Sequence, residues 1–384
     1  MKEILAAVIR KLIPPSIRYE IRNASTWLRD ILGRACFWRW EIARFRLQKE
    51  SPYEILYIGR RAQREMAKRL IGGKSQGNSP MTDGEPEPAA SNHVVVVSEV
   101  PTSGALYVPI YLSAVVPLGR SIEDITARYD SELRRNIRKN RPRYRMIQTL
   151  TDEEIEKADR EMLRPYAEAR QGIHAAHSPT QDVLRIAKTV GRLDLIMLED
   201  EVIGCHLGCV ITRDGKRYWS TLRFGYTEAV FSDAKRLREV NSITTFMALE
   251  WAIDNGFDYY DIGLCLARPD DGLLKWKRRR GGDIDSLGNH AYMFVRLPKT
   301  GRAKFLWETP LFAVEGKELT LHLGLPDGPS DEEVAHRYHE MVFGGLHKVY
   351  LYCAKGSGEE FLETLRSRYA NLQSPPIMKR IPSS

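Results

Sequence analysis

A strand-end carboxylate, a pair of lysines and a knot of arginines stand in this chain at spacings that chemistry can use. Asp261 closes the β-favouring run Tyr259-Tyr260-Asp261-Ile262 and is followed at once by Gly263. A carboxylate there can orient or deprotonate an incoming amine, or it can cap its own turn, as Asp commonly does. Lys275 and Lys277 open the basic run that ends at Arg280, and an extended backbone would put both on one side. An ammonium group so placed can neutralise the oxyanion of a tetrahedral intermediate, or simply add to a solvated basic run. Ser131–Arg145 holds seven Lys/Arg against one acid, and helical spacing puts Arg134 and Arg138 on one face with Arg135 beside them. Such a fork binds phosphate or carboxylate, or it pairs with acids nearby.

Regular elements must hold these groups in place. Thr244–Asn255 sets Phe246, Leu249, Trp251 and Ala252 at helical spacing, and Gly256 follows as a stop. Upstream, Leu193–Leu198 and Val202–Ile211 read as a hairpin, Arg217–Phe224 as a third strand and Leu237–Asn255 as the helix leading to the strand Tyr259–Ile262. Before them, His93–Val97 and Ala105–Leu112 read as buried strands, and Ser121 caps a helix reaching Asn140. The pattern Thr151-x-x-Glu154 opens a helix to about Arg170, and Pro179–Val190 supports another. Further on, Ala291–Arg296, Leu319–Leu323 and Lys348–Tyr352 read as strands, Glu359–Tyr369 as a helix, and the tail after Gln373 as frayed. The class is α/β.

Three segments resemble one family. Gly256–Gly281, of form G-F-x-Y-x-D-x-G followed by G-L-x-K-x-K-x-x-x-G, is similar to the C-terminal signature of the FemAB/BioF2-like acyltransferases, a branch of the GNAT superfamily. Ser131–Asn140 (SELRRNIRKN) resembles that family's R-R-x-I-R-K segment, and Leu193–Leu207 resembles its central strand–turn–strand hairpin. They stand in the family's order across about Val115–Leu287. The resemblance implies a GNAT-like mixed sheet flanked by helices, and N-acyl transfer from a thioester or ester donor to an amine by direct attack in a ternary complex.

Site roles follow from the resemblance. Lys277 best matches the family's cleft lysine, with Lys275 beside it, and the segment carrying Arg134, Arg135 and Arg138 borders the substrate cleft. Tyr218 and Tyr226 flank the strand that presents backbone N–H groups to the thioester in GNAT folds, so either can protonate a leaving thiolate. The loop that cradles the pyrophosphate of acyl-CoA, R/Q-x-x-G-x-G/A in the family, corresponds here to Arg236-Leu237-Arg238-Glu239-Val240-Asn241. Arg236, Arg238 and Asn241 are the cofactor-side candidates, but Glu239 brings a negative charge where the family has its first Gly. Acyl-CoA is thus one donor co-substrate, with an acyl carrier protein or aminoacyl-tRNA left open, and no tightly bound cofactor is expected. Relatives act on cell-surface polymer precursors and modified sugars, which suits acidic acceptors.

Composition bounds the rest. The 384 residues are 43% hydrophobic and 28% charged, with no apolar run long enough for a membrane span. The first twenty residues contain no small-residue cleavage site, so no signal peptide is expected. Five scattered cysteines suit a reducing, cytoplasmic compartment. Residues 1–75 hold 17 Lys/Arg against 7 Asp/Glu, so the net charge of +8 is an N-terminal property. With Trp27, Phe37, Trp38, Trp40 and Phe45 interleaved, that segment can lie on an anionic membrane, hold RNA phosphates, or pack as helices with a basic face.

Residues 1–73 are therefore expected as a basic helical extension, 74–92 as a disordered linker, 93–287 as the acyltransferase domain, and 288–384 as an α/β appendage. Fem enzymes carry tandem copies, so the appendage is a candidate for a degenerate second half. The cluster Cys205-His206-Leu207-Gly208-Cys209 is strand-like, and alternation separates His206 from the two thiols, so it is no zinc site. His174/His177 and His336/His339 lack the Glu of a metalloprotease, and no metal is expected. The alternative class is a non-catalytic GNAT-derived module that holds RNA or an anionic membrane through its basic faces.

Overall fold

The computed structural model describes residues 32–36, 39–47, 51–72, 91–171, 179–286, 289, 291–354, 359–370, 372 and 374–382. These fall into two compact units. One comprises Val115–Gly263 with Arg279–Gly282; the other comprises Leu264–Arg278, Asp283–Ser384 and the described residues of Asn23–Ala114.

The first unit is a mixed sheet flanked by helices, and it follows the expected order of strand, strand, strand, helix, strand. Within this unit its sheet runs from residues 115–117, through the strand that starts at Tyr259, Lys216–Tyr226, Glu201–Arg213 and Gly191–Leu198, to Tyr144–Gln148. Glu201–Arg213 pairs antiparallel with both neighbours. Asp214 and Gly215 make its two-residue turn into Lys216–Tyr226, with φ of 47° and 74°, as the twist of a tight hairpin demands. The next connection is the helix Ala234–Asp254, and the strand after it pairs parallel with Lys216–Tyr226. That helix stops where expected, with Gly256 at φ 66° and its N–H on the Ile253 carbonyl.

Each face of this sheet is covered. Cys205 and Leu207 pack against Val183, Ala187, Ile155 and Leu163 from the helices on one side. On the other, Trp219 meets Trp251 of Ala234–Asp254, ring centroids 4.4 Å apart. The Thr151 capping box is formed with Glu154 as expected. The helix it opens changes to a π-turn at Asp159–Leu163, where the buried Asp159 carboxylate accepts from Arg164 Nε and the Thr180 hydroxyl. Ser121 caps its helix as expected, but Ser121–Asn140 is two helices, Ile122–Ala127 and Ser131–Asn140. Asp130 interrupts by capping the second through the Leu133 N–H, 2.7 Å away.

The second unit corrects several expectations. Described residues of the N-terminal extension are helical at 32–35 and in the helix Arg64–Ile71, but between these they form the strands Trp40–Arg46 and Glu54–Arg60 where helix was expected. The reason is period-2 alternation that burial confirms: Ile55 and Tyr57 are fully buried while Leu56 and Ile58 are only partly so. These strands join Val94–Ser98, Tyr292–Arg296 and Leu106–Pro109 in one five-stranded sheet. Pieces assigned to extension, domain and appendage therefore share a sheet, and the chain does not divide at 73, 93 or 287. Helices expected in residues 1–31, and residues 74–90 of the linker expected over 74–92, lie outside the described residues, while its end enters the 3-10 turn Ser91–His93.

Lys275 to Lys277 is helical, not extended, because the Asp271 carboxylate accepts from the Leu274 N–H and starts the helix Gly272–Arg278. The tail is not frayed: Ile377–Pro382 pairs parallel with Lys348–Cys353. It completes a four-stranded sheet with Leu311–Glu315 and Glu318–Leu325. Glu318–Leu325 and Lys348–Cys353 pair in parallel over six rungs, from Thr320 opposite Lys348 to Leu325 opposite Cys353.

Candidate active site at the end of a parallel ladder

In the first unit the corresponding parallel ladder is short. Tyr259, Tyr260 and Asp261 face Tyr218, Trp219 and Ser220, and there the ladder ends. Lys216–Tyr226 runs on for six residues past Ser220, and its pairing with Glu201–Arg213 slips at Leu222, which bulges between the rungs Gly208–Thr221 and Leu207–Arg223. Among the described residues of this unit, Leu222–Tyr226 therefore has a ladder on one side only.

Local chemistry ends the ladder. Gly263 has φ 86°, and a Cβ on it would stand 3.1 Å from the Thr221 carbonyl oxygen, so only glycine fits without strain. The Asp261 carboxylate stabilises the bend, accepting from the Gly263 N–H at 2.8 Å and from the Ser220 hydroxyl at 2.9 Å. The Arg213 guanidinium lies 4.0 Å away and stacks over the Tyr218 ring, itself stacked on Tyr259. Asp261 is 3% exposed and both its oxygens are engaged, so the geometry favours the turn-capping role over the catalytic one.

The other expected residues are distributed as follows. Tyr226 is fully buried on the opposite sheet face from Asp261, edge-on to Tyr166. Its hydroxyl lies toward Thr244, whose own hydroxyl is committed to the Val240 carbonyl, and burial pushes its pKa well above the ordinary range. A phenol that holds its proton so tightly is a poor general acid.

Lys277 and Lys275 belong to the second unit. Lys277 is 3% exposed, and its ammonium donates to the Leu264 carbonyl at 2.9 Å; Lys275 is ion-paired with Glu340. Arg134, Arg135 and Arg138 are exposed on the helix Ser131–Asn140 and make no hydrogen bond or ion pair with the described residues.

The pyrophosphate-loop candidates are corrected. Arg236, Arg238 and Asn241 stand inside the helix Ala234–Asp254, not before it. The N–H groups at its start are already taken, because the Asp233 carboxylate accepts from Lys235 N at 2.8 Å and Arg236 N at 3.2 Å. Those two bonds hold the Asp233 pKa below the usual carboxylate range. Arg236 faces Glu201 at 3.9 Å, the Arg238 Nε donates to Ala234 O, and Glu239 accepts from the Tyr144 hydroxyl at 3.0 Å. An anion seated here would have to displace an acid.

Sequence reasoning missed a polar row on the sheet face under Ala234–Asp254. The Thr221 hydroxyl stands between His206 Nε2, at 3.0 Å, and the Tyr260 hydroxyl, at 2.9 Å, and Asp194 lies beyond the imidazole. One signal was available. In Gly204-x-His206-x-Gly208 both glycines share the His206 face, and a Cβ on either would strike the ring of Tyr226 or Trp219. Alternating glycines around one histidine mark a strand whose neighbours place large rings over it. Among the described residues no group of three or more His, Cys, Asp or Glu is placed to hold a metal.

No protein-family model matches the sequence, and no curated protein matches it. Among solved structures the chain is similar to L-PGS from Bacillus licheniformis at 12% identity, covering 68% of this chain and 81% of that one, with a TM-score of 0.35. It is similar to FemX at 11% identity, covering 70% and 91%, with a TM-score of 0.38. A GCN5-related N-acetyltransferase from Anabaena variabilis is similar at 9% identity, covering 73% and 63%, with a TM-score of 0.30.

Proposed function

We propose that the chain is an N-acyltransferase that moves an acyl or aminoacyl group from a thioester or ester donor to an amine, by direct attack in a ternary complex. The observation that carries this reading is the end of the parallel ladder at Ser220 and Asp261, beside the bulge at Leu222. A strand edge without a ladder offers backbone N–H groups, fixed by the sheet behind them, to an acyl carbonyl whose oxygen gains charge on attack. The quoted family motifs point to the same chemistry.

The acceptor is an amine with an acidic group, for which the exposed Arg134, Arg135 and Arg138 supply cations. On the donor side, Asp233 at the helix start disfavours a tightly cradled pyrophosphate, which favours an aminoacyl-tRNA or carrier-bound acyl group over acyl-CoA. Among the described residues no helix is long and apolar enough to cross a membrane. The basic residues 1–73 would bring the protein to an anionic surface from one side.

The test offers the protein acetyl-CoA, and separately aminoacyl-tRNA, with primary amines carrying phosphate or carboxylate, and reads amide formation by mass spectrometry. Amide from either donor, reduced at least tenfold in an Arg134→Gln/Arg138→Gln variant with unchanged melting temperature, is expected. No amide from any donor, with binding to anionic vesicles or RNA retained, would turn the reading into that of a binding module.

A further inference from the structure

In the first unit, the helices Ser131–Asn140 and Ala234–Asp254 leave a shallow recess where they meet the turn Arg279–Gly282. Apolar walls come from both helices, Leu133 and Ile137 on one and Phe246 on the other. All three keep 7–8% of their surface in contact with solvent. Arg280 and Tyr129, 6% and 5% exposed, share the same lining.

A charge walled by Leu, Ile and Phe is costly, because it gives up hydration. The chain nonetheless fixes one there. Gly281 takes φ 74° and turns the chain immediately after Arg280; a Cβ on it would stand 3.6 Å from the Tyr129 ring. The Arg280 guanidinium donates to the Ser242 hydroxyl at 2.8 Å. Burial lowers its pKa to about 10, and Tyr129 and Asp130 oppose that shift without cancelling it. At neutral pH the guanidinium is charged.

The other polar groups of the recess differ in what they can give. Ser242 and Thr245 spend their protons on their own helix, on the Arg238 and Asn241 carbonyls, at 2.7 Å each. The Tyr129 hydroxyl makes no hydrogen bond with the described residues, and burial raises its pKa, so it keeps a proton to donate. A polar side chain so nearly buried and without a partner is rare in a native interior. Outside, Arg134 and Arg138 each follow one of the wall residues Leu133 and Ile137, and both are exposed. Cations on that helix raise the local concentration of anions.

We infer that Arg280 and Tyr129 seat a carboxylate carried on a short apolar stem, and that this carboxylate belongs to the acceptor amine; the second part rests on the acyl-transfer reading above. The planar guanidinium faces the two carboxylate oxygens, and the Tyr129 hydroxyl donates to one of them. Leu133, Ile137 and Phe246 cover the first carbons of the stem. A phosphate dianion would bring two charges to one buried cation and lose more hydration than this lining returns. Arg134 and Arg138 thus gather acids of either kind, and the recess selects the carboxylate. The acceptor class is then an amino acid or a peptide end, not a phosphorylated sugar.

The first experiment is a titration without donor. Butyrate is added to protein labelled with nitrogen-15 arginine, and the Arg280 Nε signal, found by its loss in Arg280→Lys, is followed. Butyrate should shift it to saturation, and butylamine, with the same stem and no acid, should not. Saturation-transfer measurements should find butyrate held roughly tenfold or more weakly by Tyr129→Phe and by Arg280→Lys, as loss of a hydrogen bond to a charged group implies. Tyr129→Phe keeps the ring and Arg280→Lys the charge; where Arg280→Lys melts lower than the wild type, Tyr129→Phe alone decides. No saturable shift, wild-type affinity in a fully folded variant, or methyl phosphate bound more tightly than butyrate overturns the inference.

The second experiment assigns the carboxylate to the acceptor. With acetyl-CoA as donor, 4-aminobutyrate should show a KM roughly tenfold or more below that of butylamine, and Tyr129→Phe should raise that KM while leaving kcat unchanged. Equal KM values for the two amines overturn the acceptor assignment. If the wild type acetylates neither amine, the acyl-transfer reading fails for that donor, and the titration still decides the carboxylate site.

Discussion

At the last rung of the parallel ladder, the Ser220 hydroxyl donates to the Asp261 carboxylate across 2.9 Å. With the Gly263 N–H on its other oxygen, Asp261 is a clamp on the bend where one strand leaves its neighbour. Asp261→Ala should leave both donors unpaired in the interior and cost about 1–3 kcal/mol, read as a fall in melting temperature. Asp261→Asn should also melt lower. A catalytic base would give a different result: Asp261→Asn would abolish transfer at an unchanged melting temperature.

Lys277 and Arg279 separate a buried contact from a surface charge. Lys277→Met removes the donor to the Leu264 carbonyl, and thermal unfolding should show a loss of about 1–3 kcal/mol. Arg279 is exposed, and its replacement by Met should stay within about 0.5 kcal/mol. Loss of activity in Lys277→Met at full stability would restore the cleft role that the sequence implied.

Asp233 decides how the start of Ala234–Asp254 meets anions. Asp233→Ser keeps a capping oxygen and removes the charge. Calorimetry should then find coenzyme A bound several-fold more tightly than by the wild type, if pyrophosphate is seated there. Glu239→Gly should not reproduce the gain, because Glu239 is already held by the Tyr144 hydroxyl. Unchanged affinity in Asp233→Ser would place the donor elsewhere.

His322 makes the second unit sensitive to acid. It is buried between Thr320 and the Tyr352 hydroxyl, and burial lowers its pKa from 6.5 to about 4. Between those values the unfolded chain binds a proton that the folded chain refuses, so stability rises with pH across that window. Acidification from about pH 6.5 to 4 should remove up to about 3 kcal/mol. His322→Gln should flatten melting temperature against pH over the same range; a slope equal to the wild type's would assign the effect to other groups.

Local features were readable in the sequence because they are written in neighbouring residues. The capping box at Thr151 and Glu154, the cap at Ser121, the Gly256 stop and the hairpin of Leu193–Leu198 with Val202–Ile211 all formed where expected. Ile377–Pro382 looked frayed because its partner strand lies nearly thirty residues upstream and nothing in its own pattern names it. Trp40–Arg46 looked helical because its charges mask an alternation that matters only once Glu54–Arg60 lies beside it. Apart from the glycines flanking His206, the polar row was illegible for the same reason. Asp194, His206, Thr221 and Tyr260 are far apart along the chain, and only strand register puts them in line.

The three-rung ladder also dictates an order of assembly. The hairpin from Glu201 to Tyr226 closes a two-residue loop, whereas the parallel pairing must span the whole helix Ala234–Asp254. Contacts distant in sequence form after local ones, because loop-closure entropy is spent before they return anything. With only three rungs and one charged clamp to hold it, this seam closes late and reopens first. In pulse-labelled hydrogen exchange, Tyr259–Asp261 should therefore gain protection after Glu201–Tyr226, leaving a nascent chain with a complete hairpin and an unassembled centre.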